Sequence, residues 1–126
     1  MDDAAAASEL SRLALTRPDL LETRAFIDGA WVDGEQRIIV RNPATDRDIA
    51  SVPWFGRKET LDAVAAAHAA LPGWRAHSAK ERSAILRRWF DLITDHLEDL
   101  ARLMTAEQGK PLAEARAEIA YAGAFV

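Results

Sequence analysis

The sequence predicts an α+β chain: short antiparallel hairpins in its front third, then helices, with no parallel sheet. Three observations carry this reading. Turn residues punctuate short apolar runs up to Pro53, apolar residues recur at helical spacing after it, and a capping signature at Ser78 and Glu81 opens a long stretch without Gly or Pro.

Ahead of the hairpins, Ala4 to Leu15 carries Leu10, Leu13 and Leu15 among alanines, which predicts a short amphipathic helix ending before Arg17-Pro18. Asp28-Gly29 then separates two apolar pairs and supplies the positive φ angles of a tight hairpin within Ala25 to Val32. A second strand pair, Arg37 to Arg41 and Ile49 to Val52, flanks the turn residues Asn42-Pro43-Ala44-Thr45-Asp46.

The first long helix is expected over Arg57 to Leu71, with Leu61, Val64, His68 and Leu71 on one apolar face and Pro72-Gly73 as its stop. Ser78 and Glu81 form a capping box for the next. From Ala79 to Gln108 one continuous helix is expected, about 45 Å long at about 1.5 Å per residue. Its apolar band, Ile85, Leu86, Trp89, Phe90, Ile93, Leu97, Leu100 and Met104, is broader than one helix partner covers. Gly109 suits a left-handed helix end and Pro111 the first turn of a last helix carrying Leu112, Ala115, Ile119, Ala122 and Val126. That helix shows no stop signal before Val126, which predicts the front piece of a larger protein.

Composition narrows the function classes. The chain has 126 residues, 49% hydrophobic and 29% charged, as in a folded soluble domain. Its net charge of -4 comes from interleaved acids and bases, so no basic stripe invites nucleic acid. No run has the length of a membrane span, and the acidic amino end is unlike a secretory signal; the reading is cytoplasmic. Zero cysteines exclude disulfides, thiolate metal sites and thiol catalysis within the chain.

Clusters with chemical potential are few. Glu107, Gln108 and Lys110 lie together at the Gly-Lys-Pro joint, but a cation just past a helix C-terminus is favoured for structural reasons. Glu114 and Glu118, four apart on the last helix, read beside Arg116 as a solvated charged face. His68, His77 and His96 fit no metal-ligand spacing, and His68 reads as a packed histidine. Neither a nucleophile elbow nor a phosphate-binding glycine loop occurs. Trp31, Trp54, Trp74 and Trp89 read as core or interface packing. No catalytic, cofactor-binding or metal-ligating residue is therefore assigned.

The order of motifs adds a further expectation. Phe26-Ile-Asp-Gly-Ala-Trp-Val-Asp33, Asn42-Pro-Ala-Thr45, Leu71-Pro-Gly-Trp-Arg75, Ala79-Lys-Glu-Arg82, Leu86-Arg-Arg-Trp89, Leu103-Met-Thr-Ala-Glu-Gln-Gly-Lys-Pro-Leu-Ala-Glu-Ala115 and Ala120-Tyr-Ala122 follow one another along the chain. This series resembles the amino-terminal region of the NAD(P)-dependent aldehyde dehydrogenases, and most of all the succinate-semialdehyde dehydrogenases. The resemblance runs from about Leu20 to Val126. It implies a larger α/β oxidoreductase with a Rossmann-like cofactor domain, of which this chain is the opening part: a variable leader at 1–20, a β-hairpin region at 21–56 and a helical region at 57–126. It also implies that the attacking cysteine, the water-activating glutamate and the NAD or NADP contacts lie outside the stretch present. The chain alone is then expected to bind no cofactor and to be inactive, its partner being the rest of the fold, with self-association through an exposed apolar helix face. The resemblance points weakly to a monovalent cation near the carbonyls of Val40 and Arg41 and the side chain of Glu118. Asp46 stands where the family has glycine. Rival readings are a stand-alone helical interaction module and a truncated product without function.

Overall fold

The computed structural model describes residues 11–126. The helix expected over Ala4 to Leu15 lies largely outside the described residues; positions 11–13 are helical, and a short 3-10 turn at Pro18–Leu20 follows. Two separate two-stranded antiparallel sheets come next. Strands β1 (Ala25–Ile27) and β2 (Ala30–Val32) pair Phe26 with Trp31 across the hairpin. Asp28 at φ 51° and Gly29 at φ 76° form its tip, as a turn with two positive φ angles requires.

Strands β3 (Arg37–Asn42) and β4 (Arg47–Pro53) form the second hairpin. Its register slips between Val40 and Arg41, so that Val40 faces Ala50 while Arg41 faces Asp48. The skipped residue, Ile49, is only 1% exposed. One extra residue bends the strand and re-aims a side chain, and here the bulge turns Ile49 into the core. The turn is tied by Asn42, whose backbone carbonyl accepts from Asp46 N–H at 2.8 Å and whose side-chain Oδ1 accepts from Ala44 N–H at 2.9 Å. Asp46 takes the left-handed conformation at φ 54°, the geometry for which glycine is the usual residue.

Four helices complete the chain: α1 (Arg57–Ala76), α2 (Ala79–Asp95), α3 (Leu97–Gln108) and α4 (Leu112–Gly123). Three boundaries differ from expectation. First, α1 runs through Pro72 and Gly73 to Ala76. Proline's fixed φ is itself helical, and on this exposed helix the carbonyl it leaves unbonded can turn to water. Second, the continuous helix expected from Ala79 to Gln108 is two helices that meet at His96, which has φ -109° and ψ 16°. Thr94-Asp95-His96 are poor helix formers, and Thr94 Oγ1 donates to the Phe90 carbonyl at 3.0 Å, a back-bond that bends helices. Third, α4 begins at Leu112 after an extended Pro111 and stops at Gly123.

The expected capping box holds: Ser78 Oγ accepts from Glu81 N–H and Glu81 Oε2 accepts from Ser78 N–H at 2.7 Å. The core is small. Leu13, Ile49, Leu103 and Ala106 are buried together, ringed by Leu15, Leu20, Leu21, Val40 and Ala50. The second hairpin and the leader thus close on α3. Ala101 and Ala115, both fully buried, let α3 and α4 approach closely. Among the described residues no parallel sheet occurs.

Candidate functional site

The joint between α3 and α4 is where the sequence placed its densest cluster. Gly109 closes α3 in the left-handed conformation, φ 74°, and donates to the Thr105 carbonyl at 2.9 Å. It also faces the Asn42-Pro43 turn: a Cβ at Gly109 would lie 3.0 Å from Pro43 Cγ. Two sequence landmarks far apart in the chain therefore meet, and glycine is needed there for both dihedral and space.

Lys110 does not join Glu107 and Gln108 around a common point. Its ammonium donates to Glu118 on α4, while Glu107 and Gln108 are exposed. Glu114 and Glu118 share a helix but part company, Glu118 half-buried against Lys110 and Glu114 exposed. Of the positions tied to a monovalent cation, Val40 and Arg41 flank the bulge, and Arg41 pairs with Asp48 at 3.1 Å. The Glu118 carboxylate balances the Lys110 charge. Among the described residues no group of three or more His, Asp or Glu is placed to hold a metal ion.

The histidines stay apart. His77 caps α1 and meets Trp74 edge-on with centroids 6.2 Å apart; His96 forms the corner between α2 and α3. His68 was expected to be packed and is exposed: no described element makes an extensive contact with α1. Of the two places expected for the tryptophans, core or interface, the first does not hold. Trp31, Trp54, Trp74 and Trp89 are 37 to 59% exposed, so none belongs to the core; Trp31 packs edge-on to Phe26 at 5.1 Å, beneath the Arg24 guanidinium.

Sequence reasoning missed the polar anchor beside this joint. Asp99, 5% exposed, accepts the Thr16 N–H at 3.0 Å and the Arg17 N–H at 2.8 Å, and Arg102 donates to the Leu13 carbonyl at 3.2 Å. These bonds fasten the leader to α3. Next to them Glu98 receives Arg116 from α4 at 2.7 Å and Arg102 at 3.0 Å. The Arg116 hydrogen bond, opposed by partial desolvation and helped by Arg102, holds the Glu98 carboxyl at about 2, below its ordinary 4.5. The signal for the anchor was Thr94-Asp95-His96: a helix restarting after His96 puts Glu98 and Asp99 in a first turn, where acids are favoured. Thr105 Oγ1 is buried without a hydrogen-bond partner, in a shallow depression it lines with Leu13, Asn42, Arg102 and Leu112.

The arrangement binds elements to one another. What it belongs to is decided by comparison. A model of the aldehyde dehydrogenase family matches residues 31–126. The chain belongs to this family. It is 59% identical over 109 residues to glutarate-semialdehyde dehydrogenase of Pseudomonas aeruginosa, covering 85% of the chain and 23% of that protein. It is 51% identical over 116 residues to the NADP(+) succinate-semialdehyde dehydrogenase of Escherichia coli, covering 90% of the chain and 24% of that protein. A crystal structure of succinate-semialdehyde dehydrogenase from Burkholderia pseudomallei superposes with a TM-score of 0.85 at 49% identity, over 89% of the chain and 24% of that structure. An Escherichia coli NADP-dependent enzyme does so with the same score at 52% identity, over 88% of the chain and 24% of that structure. The chain therefore spans about a quarter of the length of these relatives.

Proposed function

We propose that this chain is the amino-terminal part of an NAD(P)-dependent semialdehyde dehydrogenase of the cytoplasm, oxidising a short ω-carboxylate aldehyde, succinate semialdehyde first, to its acid. Its part in that work is structural: the Gly109–Pro43 contact and the Glu98, Asp99 and Arg102 bonds hold a helical scaffold in place. The observation that carries the reading is the agreement of sequence and fold with semialdehyde dehydrogenases over nine-tenths of this chain and one quarter of theirs. Attack on the aldehyde, which the family assigns to a cysteine, finds no thiol here.

Two assays test it. The purified chain, given succinate or glutarate semialdehyde with NAD+ or NADP+, is expected to give no cofactor reduction above a protein-free control; turnover would overturn the structural role. The chain fused in place of the first quarter of the Escherichia coli enzyme is expected to restore NADP+ reduction. A folded but inactive fusion would overturn the assignment.

A further inference from the structure

Two Asp-Gly steps lie close together in the front third, Asp28-Gly29 and Asp33-Gly34. The dipeptide has a chemistry of its own. A glycine amide, with no side chain to obstruct it, can attack the preceding aspartate's side-chain carboxyl and close a five-membered succinimide ring. The two steps are identical in composition and sit in opposite environments.

Asp28-Gly29 is the two-residue tip of the first hairpin, with both residues at positive φ and the Ile27–Ala30 pair closing it. Ring closure there must rotate the Asp28 backbone out of the turn, and a two-residue loop has no slack to keep the pairing while it does so. Asp33-Gly34 instead lies in the irregular link between β2 and β3. Its carboxylate is already on the amide: Asp33 Oδ1 accepts the Gly34 N–H at 2.8 Å. Only C, Cα and Cβ join that nitrogen to the carboxyl carbon, which is thereby held near the roughly 3 to 3.5 Å of a near-attack arrangement. Arg37 donates to the same oxygen while its Nε donates to Ser51 Oγ at 3.0 Å, so the carboxyl is fixed as well as close. The Asp33 side chain is 57% exposed, which admits water to the ring once formed.

We propose that Asp33-Gly34 is a site of spontaneous backbone modification, at which Asp33 converts through a succinimide to isoaspartate. In the acid form of the carboxyl, the Gly34 nitrogen bonds to Asp33 Cγ, the C–OH bond breaks, and the hydroxyl leaves with the amide proton as water. Water then adds at the former main-chain carbonyl and opens the ring, so that the peptide continues through the side chain. No oxidant, metal or cofactor takes part. The product has one more methylene in its main chain, and its carboxylate has moved away from Arg37. The link has little room for that change, since a Cβ at Gly34 would already lie 2.7 Å from Phe55 Cε1. Modification therefore loosens the attachment of the first hairpin to the second.

The test incubates the folded 126-residue chain in 18O-enriched water at mildly acidic pH, where ring opening leaves a heavy oxygen in each residue that has reacted. Trypsin then releases Ala25 to Arg37, which carries both steps, and electron-transfer fragmentation reads the label at each. Positioning of the reacting atoms predicts labelling at Asp33 at least about tenfold faster than at Asp28, and rates within about twofold of each other in urea, where local geometry is erased. Asp33→Glu keeps a charge for Arg37 but needs a six-membered ring; it is expected to abolish the fast label and leave the slow one at Asp28. If the chain alone shows no cooperative melt, its fusion to the Escherichia coli enzyme takes its place with the same expected rates. Equal labelling of the two steps in the folded protein, or faster labelling at Asp28, overturns the proposal. So does a difference that persists unchanged in urea, because it would then come from neighbouring sequence and not from the fold.

Discussion

Replacing Asp99 by alanine is expected to unfasten the leader. The carboxylate is 5% exposed and accepts two backbone amides, from Thr16 and Arg17, across more than eighty residues of sequence. A hydrogen bond to a charged group contributes about 1.5 to 3 kcal/mol, so two would give roughly 3 to 6 kcal/mol. Thr16 and Arg17 are themselves exposed, and their amides recover part of this by bonding to water. A further loss of about 0.3 to 1 kcal/mol follows from removing an acid from the first turn of α3. The net expectation is about 2 to 4 kcal/mol, with Asp99→Asn losing roughly half as much because one acceptor oxygen remains. Urea unfolding followed by circular dichroism measures the loss, and hydrogen exchange at Thr16 and Arg17 locates it. A loss below about 0.5 kcal/mol in Asp99→Ala, with unchanged exchange at those two amides, would refute the anchor.

Two further outcomes follow from the joint. Gly109→Ala is expected to cost about 1 to 2 kcal/mol in the same urea titration, because it forces a side chain into the left-handed region and against Pro43, 3.0 Å from the new Cβ. The Glu98 carboxyl, held at about 2 by Arg116 and Arg102, has a folded-state value below its unfolded one; its contribution is complete above about 4.5 and is lost as pH falls from there through 2. Arg116→Ala should therefore show a shallower loss of stability across pH 4.5 to 2 than the unsubstituted chain, and 0.5 M salt, on the order of a few ångströms of screening length, should shrink the difference.

Local chemistry was readable in the sequence where a single residue type answers a single backbone need. Asp28-Gly29 made its hairpin, Ser78 and Glu81 their box, and Gly109 its left-handed helix end, since each depends only on neighbours in the chain. The corner at His96 was not readable in the same way: Ala79 to Gln108 has no Gly or Pro, and the bend arises from Thr94 bonding back to Phe90 together with the leader closing on α3. Pro72 misled in the opposite sense, because proline stops a helix only where its lost hydrogen bond has no substitute. Asp99 gave no signal within a stretch read as one unbroken helix, and its role as an anchor depends on the Thr16 and Arg17 amides, more than eighty residues away in sequence. The tryptophans were recognised as packing residues, but burial depends on how much lies opposite: Trp31 meets only Phe26 and Arg24 and stays half exposed.

The central claim, that this chain is the front quarter of a semialdehyde dehydrogenase, is tested most directly by kcat/KM of the full-length Escherichia coli fusion with succinate semialdehyde and NADP+. A value within about tenfold of the parent enzyme, a difference of about 1.4 kcal/mol in transition-state stabilisation, is the expected result. A fusion that folds cooperatively and shows no turnover above the protein-free control would contradict it.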